Sequence, residues 1–218
     1  MQFPADGPLP DRIPVFPLGG VLLLPRGELP LNIFEPRYLA MVEDALRAER
    51  LIGMVQPCGR SSCGGEPPLY AMGCAGRITR FSETADGRNL VTLTGVSRFR
   101  IAGELPQRKG YRLALADWDG FAGDRAPVAP LVLDRERLRH LLSAYFDLHS
   151  LSCNWTKIDE APDERLLTCL SMICPLDAGE KQALLEAPDP VARAGMFMEM
   201  LELAVRSGRP PQESRICH

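Results

Sequence analysis

Short apolar runs broken by proline and glycine fill the first half of the chain, and longer runs with a helical repeat fill the second half. Residues 13–18 and 21–24 are apolar runs bounded by proline and glycine, which is typical of strands and turns. Further strands are predicted over residues 51–56, 70–81, 90–100 and 111–118. The first half therefore predicts a β-rich structure.

One helix interrupts these strands. The apolar residues between 36 and 49 recur at spacings of three and four, and Pro36 suits the first turn of a helix. The segment 84–89 contains Asp86 followed by Gly87, which predicts a hairpin connection between two of the strands.

The second half has the period of α-helices. Asp134 is the predicted N-cap of the first helix, and the second helix begins near Pro162 and ends at Pro175. Two more helices are predicted over 177–186 and 189–206. The pattern as a whole predicts an α+β protein in which a helical bundle follows a β-rich part.

Composition shifts suggest where these parts meet. Residues 119–130 are rich in glycine, alanine and proline, which is typical of a linker. The predicted organisation is a β-rich domain over 1–118, a linker over 119–130, a helical bundle over 131–208 and a flexible tail over 209–218.

Composition and charge narrow the class of protein. Apolar residues make up 45% of the chain and charged residues 24%, as in globular proteins. The apolar stretch 15–24 is interrupted by proline and glycine and is shorter than the roughly 20 residues that span a bilayer. We expect a cytoplasmic protein with no export signal and no membrane span. The net charge of −3 argues against general nucleic-acid binding, which depends on neutralising phosphates.

The motif search predicts no enzyme and no cofactor. The sequence has no glycine-rich nucleotide loop, no zinc-protease motif and no Gly-x-Ser-x-Gly nucleophile motif. None of its three lysines stands beside a serine in a context suited to an oxyanion hole. His140 and His149 lie nine residues apart on one predicted helix, roughly 13 Å by helical rise, and are interpreted as solvated surface side chains.

Two cysteine pairs have a spacing that could suggest metal binding. Cys58 and Cys63 are separated by four residues, as are Cys169 and Cys174. One pair lies in a loop, whereas the other lies on a predicted helix where the offset turns the two thiols apart. We therefore expect reduced thiols without a metal, because a free cysteine packs as a small apolar residue.

A basic stretch runs from Arg77 to Arg112. Arg98 and Arg100 lie on one side of a predicted strand, with Phe99 on the other. A solvated strand face is the favoured interpretation, because few aromatic residues accompany the arginines to stack on bases. An anion or RNA surface is the alternative.

The sequence resembles the N-terminal domain of the ATP-dependent Lon protease family. The most specific segment reads Ile-Pro-Val-Phe-Pro-Leu over 13–18, then Leu-Pro-Arg-Gly over 24–27 and Leu-Pro-Leu-Asn-Ile-Phe-Glu-Pro-Arg-Tyr over 29–38. Matching segments follow in the same order at 52–55, 73–78, 86–88, 95–101 and 175–189.

The resemblance implies a PUA-like β-barrel domain followed by a helical bundle, with a role in holding protein substrates. We therefore expect a free-standing, non-catalytic module that binds unfolded or partly folded protein, as an adaptor or chaperone-like protein. A protease or ATPase partner and a homodimer are further expectations, and an RNA- or nucleotide-binding module is the alternative. The candidate binding surface comprises Phe34, Glu35, Arg37, Tyr38, Arg77, Arg98 and Arg100.

Overall fold

A computed structural model describes residues 7–59, 66–127 and 130–208. Within these ranges the chain forms six strands and six α-helices, which confirms the α+β class. The strands are β1 (Arg12–Pro17), β2 (Glu28–Ile33), β3 (Leu51–Val55), β4 (Met72–Glu83), β5 (Asn89–Arg108) and β6 (Tyr111–Asp117). The helices are α1 (Pro36–Arg47), α2 (Arg135–Leu148), α3 (Trp155–Glu160), α4 (Asp163–Ile173), α5 (Ala178–Glu186) and α6 (Pro190–Ser207).

The strands close into a barrel. Their order is β2-β5-β4-β3-β1-β6, and an additional pairing of β5 with β6 completes the ring. Closure is achieved because β5 is 20 residues long and pairs with β2 and β4 through its first half and with β6 through its second. β1 and β3 are parallel, and the other pairs are antiparallel. Among the described strands, β2 pairs only with β5 and is therefore an edge strand.

The strand predicted over residues 21–24 is wrong. These residues have no strand pairing, although Leu22, Leu23 and Leu24 are buried. The backbone of this segment crosses close to β5, since a Cβ added at Gly95 would lie 2.0 Å from the Leu24 carbonyl oxygen. The strand that follows is β2, which was not predicted. Its apolar residues Leu29, Leu31 and Ile33 alternate, but Pro30 lies in the middle of the strand.

Local capping explains where the helices begin. The Asp134 side chain accepts a hydrogen bond of 3.0 Å from the Arg137 main-chain N–H, which confirms it as the N-cap of α2. Asp177 forms a capping box with Glu180 at the start of α5. The six-residue α3 was not predicted, because it is too short to show a helical repeat.

The barrel and the helices share one hydrophobic core. A single cluster of buried residues joins Phe16 and Tyr38 of the barrel part to Leu142 and Phe197 of the helices. A second, smaller cluster surrounds Phe99 inside the barrel. No helix among the described residues is long and apolar enough to cross a bilayer.

The segment expected to be a linker contains ordered contacts. Phe121 is buried, and a short 3-10 turn, Ala122–Asp124, places Asp124 against Arg98 of β5. Hence residues 121–124 of the predicted linker are held against the barrel. The tail expected over 209–218 lies outside the described residues, and division into two folding units stays a prediction.

The two histidines differ from each other. His140 is exposed, as predicted. His149 is not a solvated surface side chain, because its ring lies 4.1 Å from the Tyr145 ring and both ring nitrogens are buried without a hydrogen-bond partner. Burial lowers the pKa of His149 below its usual value.

Candidate functional site

Three large apolar side chains are exposed at one end of the sheet formed by β2, β5 and β4. Phe34, Phe81 and Leu90 have exposed fractions of 53%, 44% and 46%. The register places Leu90 opposite Asn32 of β2 and opposite Ser82 of β4. Phe34 directly follows the last residue of β2, so all three side chains belong to this end of the sheet.

A groove of about 460 Å³ crosses these strands. Polar side chains along it come from Asn32, Arg80, Ser82 and Thr92, whereas much of the remaining surface is apolar. An exposed apolar recess with polar residues around it is typical of a surface that contacts another molecule. The groove is lined by Pro30, Leu31, Asn32, Arg80, Phe81, Ser82, Leu90, Val91 and Thr92.

Strand addition at the free edge of β2 is a less suitable mode of binding. Pro30 lies in the middle of β2, and proline has no N–H to donate to an added strand. Proline in an edge strand is a common protection against pairing with another chain. Recognition through side chains in the groove therefore fits this edge better.

The segment after β2 divides into exposed and buried residues. Arg37 pairs with Glu35 at 3.0 Å and with Glu66 at 3.1 Å, and its guanidinium lies 4.5 Å from the centre of the Tyr38 ring. Tyr38 itself is buried and contacts Phe16, with ring centres 4.3 Å apart. Tyr38 is thus a core residue, whereas Glu35 and Arg37 remain accessible.

The prediction that Arg98 belongs to a binding surface is wrong about its exposure. Its side chain is 8% exposed, and its guanidinium donates to Asp124 and to the main-chain oxygens of Leu185 and Ala187. Arg98 connects the barrel to Asp124 and to the turn between α5 and α6. The sequence correctly placed it on the same face as Arg100 but could not show that helices cover this part of the face.

The other two arginines do not form a continuous positive surface through Arg98. Arg77 donates a hydrogen bond of 2.9 Å to the main-chain oxygen of Glu49, and burial lowers its pKa. Arg100 is exposed, with its guanidinium 5.6 Å from the centre of the Phe121 ring. The RNA-binding alternative depended on a positive face joining these residues, and burial of Arg98 interrupts that face.

The cysteines within the described residues are separate thiols. Cys58 and Cys169 are not paired in disulfides, and Cys174 is buried whereas Cys169 is exposed. Burial raises the pKa of Cys174 to about 12. Among the described residues no group of three or more histidine, cysteine, aspartate or glutamate side chains could hold a metal ion. Cys63 lies outside the described residues.

Comparison with known proteins identifies the family. The family model of the substrate-binding domain of ATP-dependent protease La (LON) matches residues 12–202. The chain belongs to the Lon substrate-binding domain family. The resemblance inferred from the sequence is thereby confirmed.

Lon relatives match this domain over part of their length. Lon protease 2 of Myxococcus xanthus is 27% identical over 88% of the chain and 24% of its own length, and Lon protease of Anaeromyxobacter dehalogenans is 26% identical over 91% and 25%. The chain thus spans about a quarter of the length of these curated relatives. What is matched is the Lon substrate-binding region.

Solved Lon N-terminal domains share the fold. The Lon N-terminal domain protein from Xanthomonas campestris has a TM-score of 0.60 at 24% identity, covering 86% of this chain and 97% of that one. The N-terminal domain of Mycobacterium avium complex Lon protease has a TM-score of 0.61 at 16% identity, covering 88% and 98%. Both likenesses confirm a Lon N-terminal fold.

Two residues of the groove were missed by sequence reasoning. In β5, Val91 and Leu93 are buried in alternation, so the neighbouring Leu90 is an apolar residue on the outer side of the strand. Phe81 lies near the end of β4 among exposed residues. For Leu90, an apolar residue out of phase with the buried set was a signal available in the sequence, whereas Phe81 lies opposite the buried Val91 and shows no such signal.

Proposed function

We propose that this chain is a non-catalytic module that binds unfolded or partly folded polypeptide, and that the groove across β2, β5 and β4 is its binding surface. The observation that carries the proposal is the largely apolar groove lined by the exposed residues Phe81 and Leu90, with Phe34 also exposed just after the end of β2. Unfolded chains expose the apolar side chains that such a groove would cover.

Membership of the Lon substrate-binding family supports the same function. In an adaptor role, the domain would present a bound chain to a protease or ATPase partner. A chaperone-like role would need only reversible binding of the unfolded chain. A homodimer would carry two grooves, one on each protomer. Each of these assignments is part of the proposal.

The groove can be tested by removing its apolar side chains. The double variant Phe81→Ser and Leu90→Ser should bind a reduced and alkylated, permanently unfolded model protein more weakly than the unmodified chain. Burying each side chain contributes about 1.5–3 kcal/mol when burial is complete, so a loss of roughly tenfold in affinity is expected for two half-exposed residues. Fluorescence anisotropy of the labelled model protein measures this loss.

Leu203→Ser is a matched control. Leu203 is exposed on α6, is not one of the groove residues and matches the Leu90→Ser part of the double variant in the type of residue removed. Equal affinities for the groove variant and this control would contradict the proposed site. Failure of the unmodified chain to bind the model protein, or to delay its aggregation, would contradict the proposed function itself.

A further inference from the structure

A small cavity of about 180 Å³ lies where the barrel, the 3-10 turn and helices α4 and α6 meet. It lies apart from the apolar groove of the sheet, with which it shares no lining residue. Three arginines and three carboxylates are among its lining residues: Arg26, Arg98, Arg193, Asp124, Glu164 and Asp189.

Each carboxylate of the cavity already has a partner. Asp124 pairs with Arg98 at 2.8 Å, and Glu164 pairs with Arg26 at 3.0 Å. Asp189 is the N-cap of α6, and its side chain accepts a hydrogen bond of 2.8 Å from the Ala192 main-chain N–H. These contacts account for two of the three arginines.

Arg193 is the guanidinium left without an ion pair. It is 6% exposed, and its Nε donates a hydrogen bond of 2.8 Å to the main-chain oxygen of Leu184. Within residues 7–59, 66–127 and 130–208, no carboxylate lies within ion-pairing distance of Arg193, and its two Nη atoms donate no hydrogen bond. Burial and the nearby Arg98 charge lower its pKa to about 10, and the Asp124 and Asp189 carboxylates offset this only in part.

A buried guanidinium is costly unless an anion compensates it. Arginine is well suited to this role, because its planar group pairs with a carboxylate through two parallel hydrogen bonds. Since Asp124 and Asp189 act on the Arg193 charge only at a distance and make their direct contacts elsewhere, a directly bonded anion would come from another molecule. The cavity volume is sufficient for a small oxyanion such as a carboxylate.

A groove of about 520 Å³ adjoins the cavity and suggests what carries the anion. The two recesses share Arg26, Glu164 and Thr168. Beyond them the groove is lined by Met172 and the exposed Ile173 of α4, together with Gly27, Glu28, Arg165 and Cys169. A groove with apolar side chains next to a buried guanidinium matches a polypeptide end, where side chains are followed by a terminal carboxylate.

We propose that this cavity binds the C-terminal carboxylate of a polypeptide, with Arg193 as its ion-pair partner and the adjoining groove as the receptor for the last apolar side chains. This inference rests on the proposed polypeptide-binding function, and it specifies a ligand class that the sheet groove does not. Thr168 lines both recesses, and its hydroxyl makes no hydrogen bond to the described residues, so it is available to donate to the same carboxylate.

The test varies the ligand before the protein. A short fluorescent peptide of leucine and serine is prepared with a free C-terminal carboxylate and with a C-terminal amide, and each is titrated with the unmodified chain. Because hydrogen bonds to charged groups are strong, the free acid should bind roughly tenfold or more tightly than the amide. This comparison needs no variant and is insensitive to folding defects.

The protein variants then locate the site. Arg193→Gln should abolish the preference for the free acid, and Arg193→Lys should retain part of it because the charge remains. Arg137→Gln, on the exposed surface of α2, is the control and should keep the full preference. Circular dichroism of each variant establishes that it is folded.

Three results would overturn the inference. Equal binding of acid and amide peptides would exclude recognition of the terminus, and a full preference in folded Arg193→Gln would exclude this cavity. If inorganic phosphate bound in an Arg193-dependent way while acid and amide peptides bound alike, the cavity would be an oxyanion site unrelated to chain ends. The sheet groove is tested separately with the unfolded model protein and the Phe81 and Leu90 variants, so failure of one site is distinguishable from failure of the other.

Discussion

The buried pair of Arg98 and Asp124 offers the sharpest test of how the barrel and helices are joined. Asp124 accepts hydrogen bonds from Arg98 Nε at 2.9 Å, from Nη2 at 2.8 Å and from the main-chain N–H at 2.9 Å. Both side chains are less than a tenth exposed. The substitution Asp124→Ala would leave the buried Arg98 guanidinium with the main-chain oxygens of Leu185, Ala187 and Pro188 as its hydrogen-bond acceptors among the described residues.

The expected cost follows from that geometry. Removing one partner of a buried ion pair destabilises a protein by about 3–5 kcal/mol, because the remaining charge stays desolvated and unpaired. For a chain of this size each kcal/mol corresponds to roughly 2–4 °C, so the melting temperature should fall by about 6–20 °C. Thermal denaturation followed by circular dichroism, together with urea unfolding, measures the change.

A double variant separates the charge from the packing. Arg98→Met combined with Asp124→Ala removes the orphan charge and should unfold at a higher temperature than Asp124→Ala alone. Asp159→Ala is the control, since its ion pair with Arg139 is about half exposed and should matter little. If Asp124→Ala unfolds within about 0.5 kcal/mol of the unmodified chain, the pair does not join the two parts as inferred.

Two further predictions concern the shared core and His149. A fragment of residues 1–127 should fail to give the dispersed amide spectrum of a folded protein, because its core residues Tyr38 and Leu24 belong to the same buried cluster as Leu142 and Phe197 of the helices. An independently folded fragment would instead support two separate domains. The pKa of His149 is lower in the folded state than in the unfolded state. Below about pH 6.5 the unfolded state therefore binds more protons than the folded state, so the free energy of unfolding should fall as the pH drops through that range. Urea unfolding at several pH values should show a smaller fall in the free energy of unfolding for His149→Phe than for the unmodified chain or for His140→Gln. If the fall is the same in His149→Phe, His149 is not the group responsible.

Much of the fold could be predicted from local patterns. Apolar residues at helical spacing and the side chains of Asp134 and Asp177 identified helices and their first residues, because capping and periodicity act within a few residues. The Asp86-Gly87 hairpin joined two strands for the same reason. The most specific segment, residues 13–38, also identified the family.

The candidate sites depended on contacts between distant parts of the chain. Arg98 and Arg100 share one strand face in the sequence pattern, yet Arg98 is buried because Asp124 and the turn after α5 cover it. In the sequence, Arg193 is one arginine on a predicted helix. Its burial in a cavity is seen only when that helix is packed against the barrel.

The sequence by itself determined the elements, the fold class and the Lon relationship of this protein, since periodicity, turns and caps are set by neighbouring residues. Tertiary structure alone decided which side chains remain exposed, as with Leu90, and which charges become buried, as with Arg193. The physical reason is that burial is a property of the elements that cover a residue, and those elements lie far away along the chain.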